Sequence, residues 1–267
     1  KKNFFQAEDG ILDVERSRGL GDVYKRQVIH SPYYMQRLLT NAGPIAHLSG
    51  VGPITGEIDV EGAHVWDAGL AILVENGIIL KIAPSKELAD EFSKAEIIDL
   101  GGKAIVPGLV DSHTHLLWSG DRSREVSWKQ RGLSYREIAS KGGGIGATVL
   151  PTRDSSADEL KQIGIARMKE ALRNGTTHME AKSGYGLDTE SELRLLSIAN
   201  ELGSIENLPT LDLTWLGAHA APPGSSIDGY VEDILSEQLP AVLDQGMARS
   251  ADVFCEPGWF SVEQSED

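Results

Sequence analysis

Two histidines, His113 and His115, lie one residue apart and follow the apolar run 104–110. Alternate side chains of a β-strand point to the same face, so we expect both imidazoles on one side of a strand end. Imidazole nitrogens are good ligands for zinc and iron. A pair of surface histidines after a strand is the alternative, but the Pro-Gly turn before them and Asp111 beside them favour a metal. We therefore predict that His113 and His115 hold one metal ion.

Four further polar residues are candidates for binding a small molecule: Arg122, Tyr135, Tyr185 and His219. A guanidinium can bind a carboxylate through two parallel hydrogen bonds. A phenol such as that of Tyr185, which lies between two glycines, can donate to a ligand while its ring packs on a heterocycle. An imidazole can form a hydrogen bond or move a proton. From the residues alone, an exposed arginine, packed tyrosines and a core histidine stay open as alternatives.

The elements that must position these residues change in type along the chain. Residues 37–105 contain short β-like runs at 70–74, 78–82 and 97–100. Glu75-Asn-Gly77 between two of these runs is a strong signal for a hairpin. This part of the chain predicts a small β lobe.

Strand-then-helix units follow the lobe. Ser156-Ala-Asp-Glu159 and Thr189-Glu-Ser-Glu192 each predict a capping box that opens an amphipathic helix. Strand-like runs about 35 residues apart, with helices between them, predict parallel βα units. Such units wind either into an open sheet or into a closed eight-stranded barrel. The strand-like runs in this part of the chain are 176–182, 210–216 and 251–255.

Several motifs follow one another along the chain: Pro107-Gly-Leu-Val-Asp-Ser-His-Thr-His115, Leu116-Leu-Trp-Ser-Gly-Asp-Arg122, Gly142-Gly-Gly-Ile145 with Thr148, Lys182-Ser-Gly-Tyr-Gly-Leu187, Leu216-Gly-Ala-His-Ala220 and Asp252-Val-Phe-Cys255. Taken together, these motifs resemble the imidazolonepropionase family of the amidohydrolase superfamily. The resemblance covers residues 37 to 264. It implies an α/β fold, namely a partial TIM-like (β/α)8 barrel of the metal-dependent hydrolase type preceded by a small β-sandwich lobe. We place a non-native leader at 1–34, the β lobe at 35–104 and the incomplete barrel at 105–267.

The resemblance also implies a reaction, the metal-dependent opening of the cyclic amide of 4-imidazolone-5-propanoate to N-formimidoyl-L-glutamate in histidine degradation. Arg122, and more weakly Tyr135, would bind the propionate arm, while Tyr185 and His219 orient the ring. An acid–base role for His219 stays open, as does the choice between zinc and iron for the one ion per subunit. A third metal histidine and a metal aspartate are expected beyond residue 267. The alternatives are another amidohydrolase acting on a cyclic amide or heterocyclic amine, and an inactive fragment.

Composition limits the other classes of function. The chain has 267 residues and a net charge of −15, which argues against a nucleic-acid partner. No apolar run approaches the roughly 20 residues that span a bilayer. The single cysteine, Cys255, excludes an internal disulfide and favours the cytoplasm. We expect a small-molecule substrate and no membrane partner, with a homodimer as an open alternative.

Some segments are left without a function. Residues 1–27 resemble translated sequencing adapter, Met35 is a candidate start, and we interpret 261–267 as the end of a truncated frame. The glycines at 142–146 lack the Gly-Lys-Ser/Thr of a phosphate loop, and we expect them to expose backbone near the site. We expect Cys255 to be a buried small hydrophobe. The histidines at 30, 47, 64 and 178 and Glu180 receive no assignment.

Overall fold

The computed structural model of the chain describes residues 36–47 and 64–266. They fall into two compact units that divide between Leu109 and Val110. The predicted leader at 1–34 and the candidate start Met35 lie outside the described residues. No helix in the described ranges is long and apolar enough to cross a membrane.

The first unit is built on a mixed four-stranded sheet with the order β5-β4-β1-β6, and a separate antiparallel pair, β2-β3. Strands β1 and β6 are parallel, whereas β4 is antiparallel to both of its neighbours. These strands establish a β-rich unit, but they do not establish the sandwich. The elements are β1 (Gln36–Thr40), β2 (Ile45–Ala46), β3 (Val65–Trp66), β4 (Leu70–Glu75), β5 (Ile78–Pro84), α1 (Ser85–Glu91) and β6 (Glu96–Asp99).

The hairpin between β4 and β5 forms where the sequence predicts it. Asn76 and Gly77 have φ angles of 51° and 74°. A two-residue turn with positive φ at both positions matches the twist of antiparallel strands, and Asn-Gly is the pair that adopts it most readily. Alternate residues of β4 then enter different cores, with Ile72 on one face and Leu73 on the other.

The second unit contains a parallel sheet flanked by helices. Its strands have the order β10-β9-β8-β7. The strands are β7 (Leu109–Thr114), β8 (Thr176–Lys182), β9 (Thr210–Ala218) and β10 (Ser250–Val253). The helices are α2 (Arg124–Gln130), α3 (Tyr135–Ser140), α4 (Gly146–Asp154), α5 (Ala157–Arg173), α6 (Thr189–Leu202), α7 (Ile227–Asp233), a π-helical turn (Ile234–Gln238), α8 (Leu239–Gln245) and α9 (Val262–Glu266).

Each strand from β8 to β10 pairs with the strand that precedes it in the chain. Because crossovers between parallel strands are right-handed, strands added always on the same side place their helices on one face of the sheet. A doubly wound sheet instead reverses its strand order part-way. The observed order is therefore that of a singly wound α/β sheet, compatible with part of a barrel.

The two faces of β8 differ in polarity. Met179 and Ala181 are buried in the core shared with helices α5 and α6, whereas Glu180 and Lys182 point to the opposite face. Burying a side chain the size of methionine or leucine contributes roughly 1.5–3 kcal/mol. The apolar face thus holds the helices in place, and the other face is free to carry charge.

The capping prediction is confirmed for one helix and wrong for another. Ser156 caps α5 and forms the reciprocal pair with Glu159. Helix α6 is capped one residue earlier than predicted, by Asp188, whose side chain accepts a hydrogen bond from the Ser191 N–H. Asp188 is extended, as an N-cap must be, and Glu192 is engaged elsewhere.

Candidate active site

Three candidate residues follow three neighbouring parallel strands directly. His115 comes after β7, Tyr185 lies in the loop after β8, and His219 comes after β9. Since the carboxyl ends of parallel strands meet at one edge of a sheet, the three rings come together there. The imidazoles of His115 and His219 are stacked, with centroids 4.7 Å apart and an interplanar angle of 8°. The ring of Tyr185 meets both edge-on, at 5.0 and 5.4 Å.

Both stacked histidines are held in a defined tautomer. Nδ1 of His115 lies 2.8 Å from the Ser183 carbonyl oxygen, and Nδ1 of His219 lies 2.8 Å from that of Gly184. A carbonyl can only accept, so each Nδ1 donates and each Nε2 keeps its lone pair. Burial lowers the pKa of His115 to about 4 and also lowers the pKa of His219. Both imidazoles are therefore neutral at pH 7, the form that binds a metal or accepts a proton.

The second predicted metal ligand, His113, lies beside this group. It is exposed, and its ring is 6.1 Å from that of His115 at an angle of 81°. The chemistry of this pair fits zinc or iron, because neutral imidazoles are preferred ligands of both. A tetrahedral site needs two more donors. Within residues 36–47 and 64–266, no group of three or more His, Cys, Asp or Glu side chains is arranged to hold a metal ion.

A cavity of about 310 Å³ opens next to the stacked rings. Its volume suits a molecule of one ring and a short arm. All four residues predicted to bind substrate line it. The lining residues are Arg122, Tyr135, Ile145, Tyr185, His219, Ala220, Phe254 and Trp259.

Tyr185 is positioned by the two glycines that flank it. Gly184 has a φ of 96°, and a Cβ there would lie 2.7 Å from the Leu216 carbonyl oxygen. A Cβ on Gly186 would lie 2.6 Å from that of Ser191. No other residue type fits either position without displacing backbone or packed side chains. The glycines therefore allow the loop to approach β9 and α6 closely.

A buried carboxylate also positions the loop that carries Tyr185. Glu192 is fully buried and accepts hydrogen bonds from the backbone N–H groups of Gly184, Gly186 and Leu187. Burial raises the pKa of Glu192 above its ordinary value despite these donors. The role of Glu192 could not be predicted from the sequence, because its hydrogen-bond partners are backbone amides of the preceding loop.

Arg122 reaches the cavity as part of an ion pair that sequence reasoning missed. Its Nε and Nη2 atoms each donate to an oxygen of Glu125 at 2.8 Å. Only 4% of the Glu125 side chain is exposed, against 30% for Arg122. The hydrogen bonds from Arg122 hold the pKa of Glu125 below its usual value. The available signal was the spacing of three residues between the arginine and an acid.

Tyr135 begins helix α3, which is capped by Ser134. The Ser134 hydroxyl and the Glu137 carboxylate form a reciprocal capping box. The Ser-x-x-Glu signature in the sequence is the signal that predicts this cap. The cap sets the first turn of the helix, and with it the position of Tyr135.

The chain is similar in sequence to several curated proteins. No family model matches the chain. The imidazolonepropionase of Haloarcula marismortui is 42% identical over 217 residues, which are 80% of this chain and 50% of that protein. The imidazolonepropionase of Paraburkholderia phymatum is 44% identical over 199 residues, 73% of this chain and 48% of that protein. The chain belongs to the imidazolonepropionase family. It spans about half the length of these curated relatives.

Solved structures show weaker likeness to this member of the imidazolonepropionase family. A triazine hydrolase from Arthobacter aurescens aligns with a TM-score of 0.47 and 15% identity, over 86% of this chain and 48% of that one. An atrazine chlorohydrolase from Arthrobacter aurescens TC1 complexed with zinc gives 0.40 and 16%, over 80% and 46%. The assignment of a singly wound α/β sheet therefore depends on the observed strand order.

One further group of charges lies in the second unit. Lys182 is 7% exposed, and its Nζ lies 2.8 Å from oxygens of both Glu180 and Asp252. Thr214 donates to the same Glu180 oxygen at 2.7 Å. Burial alone would lower the pKa of Lys182, but the two carboxylates raise it. Glu180, which had no assignment, thus anchors a buried cation on the polar face of the sheet.

Two expectations for unassigned residues need correction. Cys255 is exposed rather than buried, because β10 ends at Val253 and the cysteine lies in the loop that follows. The glycine segment does not offer all of its amides to a ligand, since the Gly144 N–H donates to Glu125 at 2.7 Å. The Nδ1 atom of His178 forms a hydrogen bond of 2.7 Å with the Thr210 hydroxyl, and its Nε2 atom lies 3.4 Å from Asp212. The side chain thus links the neighbouring strands β8 and β9.

Proposed function

We propose that the chain carries part of an imidazolonepropionase active site, which hydrolyses the cyclic amide of 4-imidazolone-5-propanoate to N-formimidoyl-L-glutamate. The observation that carries this proposal is one cavity lined by all four residues predicted for substrate binding. The names of the curated relatives support it. The substrate joins a flat polar ring to a carboxylate arm, and the cavity is lined by the rings of Tyr185 and His219 and by the guanidinium of Arg122.

The acid arm belongs beside Arg122 in this proposal. A carboxylate there meets the free edge of the guanidinium, and Tyr135 lines the same cavity. Charge-assisted hydrogen bonds of this kind contribute about 1.5–3 kcal/mol each. The overall charge of −15 repels an anion, so a local cation is needed to receive it.

The ring belongs beside Tyr185 and His219. Because Nδ1 of His219 donates to Gly184, its Nε2 is left as an acceptor, suited to a ring N–H or to a proton in transfer. Tyr185 supplies the complementary donor, and burial raises its pKa so that the phenol keeps its proton. Together the two residues distinguish the N–H groups of the ring from its oxygen.

His113 and His115 would hold one zinc or iron ion in this proposal. A bound ion lowers the pKa of water towards neutrality and polarises the carbonyl under attack. Two imidazoles alone hold a metal weakly, so we expect the purified chain to retain less than one ion after dialysis. Metal analysis by mass spectrometry measures this, with His113→Ala as the comparison. One tightly held ion per chain would contradict the expectation.

The finer features of the fold and setting belong to the same proposal. The four parallel strands would form part of a closed (β/α)8 barrel of residues 105–267, and the strands of residues 35–104 part of a small β-sandwich lobe. Residues 1–34 would be a non-native leader. A cytoplasmic location follows from the lone cysteine and the metabolic substrate.

The test compares the chain as printed with a version extended by the second half of the Haloarcula marismortui relative. Each is incubated with 4-imidazolone-5-propanoate and added zinc or iron, and N-formimidoyl-L-glutamate is measured by mass spectrometry. We expect turnover by the extended version and none by the printed chain. A folded extended version that prefers an imidazolone without the acid arm would favour another amidohydrolase.

A further inference from the structure

The guanidinium of Arg122 is held by a partner that does not touch the cavity. Glu125 occupies the side edge of the guanidinium, the one formed by Nε and Nη2. It does not line the cavity, whereas Arg122 does. The pair therefore has an outer member that can meet a ligand and an inner member that cannot.

A guanidinium has two edges that can bind a carboxylate with two parallel hydrogen bonds. One edge is formed by Nε and Nη2, the other by Nη1 and Nη2. Glu125 takes the first, and among the described residues Nη1 has no hydrogen-bond partner. Only the Nη1–Nη2 edge is left for a ligand, so Glu125 decides the direction from which an acid group can be bound.

The carboxylate of Glu125 is itself fixed by the glycine segment. Its Oε1 accepts the Gly144 N–H at 2.7 Å in addition to the bond from Arg122. A Cβ on Gly143 would lie 3.0 Å from this oxygen and 2.7 Å from a methyl group of Ile138. The close approach of the glycines is thus what allows Glu125 to be buried and oriented.

We propose that Glu125 is a positioning residue that sets the preference of this site for an acid-bearing ligand, by holding Arg122 with its Nη1–Nη2 edge towards the cavity. The inference rests on the proposed function, whose acid arm it explains. Glu125 acts through Arg122 and touches no ligand. A second effect opposes this positioning effect. The negative charge of Glu125 partly cancels the positive charge of Arg122, which weakens its attraction for an acid.

The two effects predict opposite results for Glu125→Gln, which keeps the size of the side chain. If orientation dominates, the variant binds acids less well, because in either orientation the amide places its NH2 group against an N–H donor of Arg122. If charge cancellation dominates, the variant binds acids better. If Glu125 only stabilises the fold, acid and neutral ligands weaken together. The acid preference is therefore a readout that a purely structural role does not change.

The experiment measures binding of 3-(imidazol-4-yl)propanoate and of the matching neutral propanamide to the printed chain by calorimetry. We expect the wild type to prefer the acid, and Glu125→Gln to reduce that preference about tenfold while amide binding stays within about threefold. An unchanged or increased preference, or an equal loss for both ligands, overturns the inference. A wild type without acid preference overturns the proposed acid site as well, so the two failures are distinguishable.

Two controls make the result specific. Glu159→Gln removes the same charge from an exposed capping box on α5 and is expected to leave both affinities unchanged. In an Arg122→Ala background, Glu125→Gln is expected to have no further effect on the preference, because a positioning residue acts only through its partner. In the extended version, KM for the acid substrate should rise with kcat nearly constant. A fall in kcat alone would contradict the role.

Discussion

Two parts of the cavity lining, the Tyr185 wall and the Arg122 wall, are each supported by a buried glutamate. The two glutamates bind their partners in different ways. Glu192 supports the Tyr185 wall and binds backbone N–H groups in three places. Glu125 supports the Arg122 wall and shares its charge with a guanidinium. The first carboxylate has a raised pKa and the second a lowered one. In the proposed function, backbone N–H groups suffice to position the residue that contacts the ring, whereas the residue that receives the acid arm must be a fixed cation.

The largest expected effect tests whether Glu192 supports its wall. Glu192→Ala leaves three buried N–H groups without an acceptor, and we expect the free energy of unfolding to fall by about 3 kcal/mol or more. Urea unfolding measures it. Glu190→Ala removes the same side chain from an exposed position on the same helix and should change the value by about 0.5 kcal/mol. Equal losses for the two variants would show that the loop needs no buried acceptor.

The next effect tests the Arg122 wall by changing the cation alone. Arg122→Lys keeps the charge but loses the planar fork, so Glu125 and an acid ligand can no longer share it. We expect KM of the extended version for 4-imidazolone-5-propanoate to rise about tenfold, with kcat less affected. Steady-state kinetics measures both. An unchanged KM would mean that any positive charge serves.

The third effect sharpens the comparison through pH. Glu125 has a lowered pKa, so its contribution to stability is present above the ordinary glutamate pKa and is lost as pH falls through the folded value. Glu192 has a raised pKa, so the folded state loses stability as pH rises through that value. On acidification, the stability of the wild type should fall relative to that of Glu125→Gln. It should rise relative to that of Glu192→Gln. Urea unfolding measured from about pH 2 to pH 8 tests whether the two slopes have opposite signs.

The smallest effect concerns how helix α6 begins beside the Tyr185 wall. Asp188→Ala should reduce the free energy of unfolding by about 1 kcal/mol, since it removes the observed cap. Thr189→Ala should change it by about 0.5 kcal/mol or less. Thermal unfolding measures both losses. A larger loss for Thr189→Ala than for Asp188→Ala would support the capping box predicted at Thr189.

The features that depend on local pattern could be predicted from the sequence. The Asn76-Gly77 hairpin and the strand at 176–182 were predicted because turn chemistry and alternation act between near neighbours. The sequence could not separate an open sheet from a barrel, since strand order is set by pairing between distant segments. That order is now observed for four strands.

The supports of the site were harder to predict than its ligand-facing residues. His219 and Tyr185 follow strands and stand out by type, whereas Glu192 matched a common capping signature that proved wrong. Only the spacing of three residues from Arg122 distinguished Glu125 in the sequence. Both owe their roles to backbone amides supplied by glycine segments, and such partners leave no pattern of side-chain types in the sequence.

The order in which the parallel strands are paired has a consequence for biosynthesis. Each strand from β8 to β10 pairs with the strand that was translated just before it. As the nascent polypeptide leaves the ribosome, every new βα unit therefore meets a docking edge that already exists. Assembly can proceed from the amino-terminal side without waiting for distant partners, which keeps loop-closure entropy small at each step.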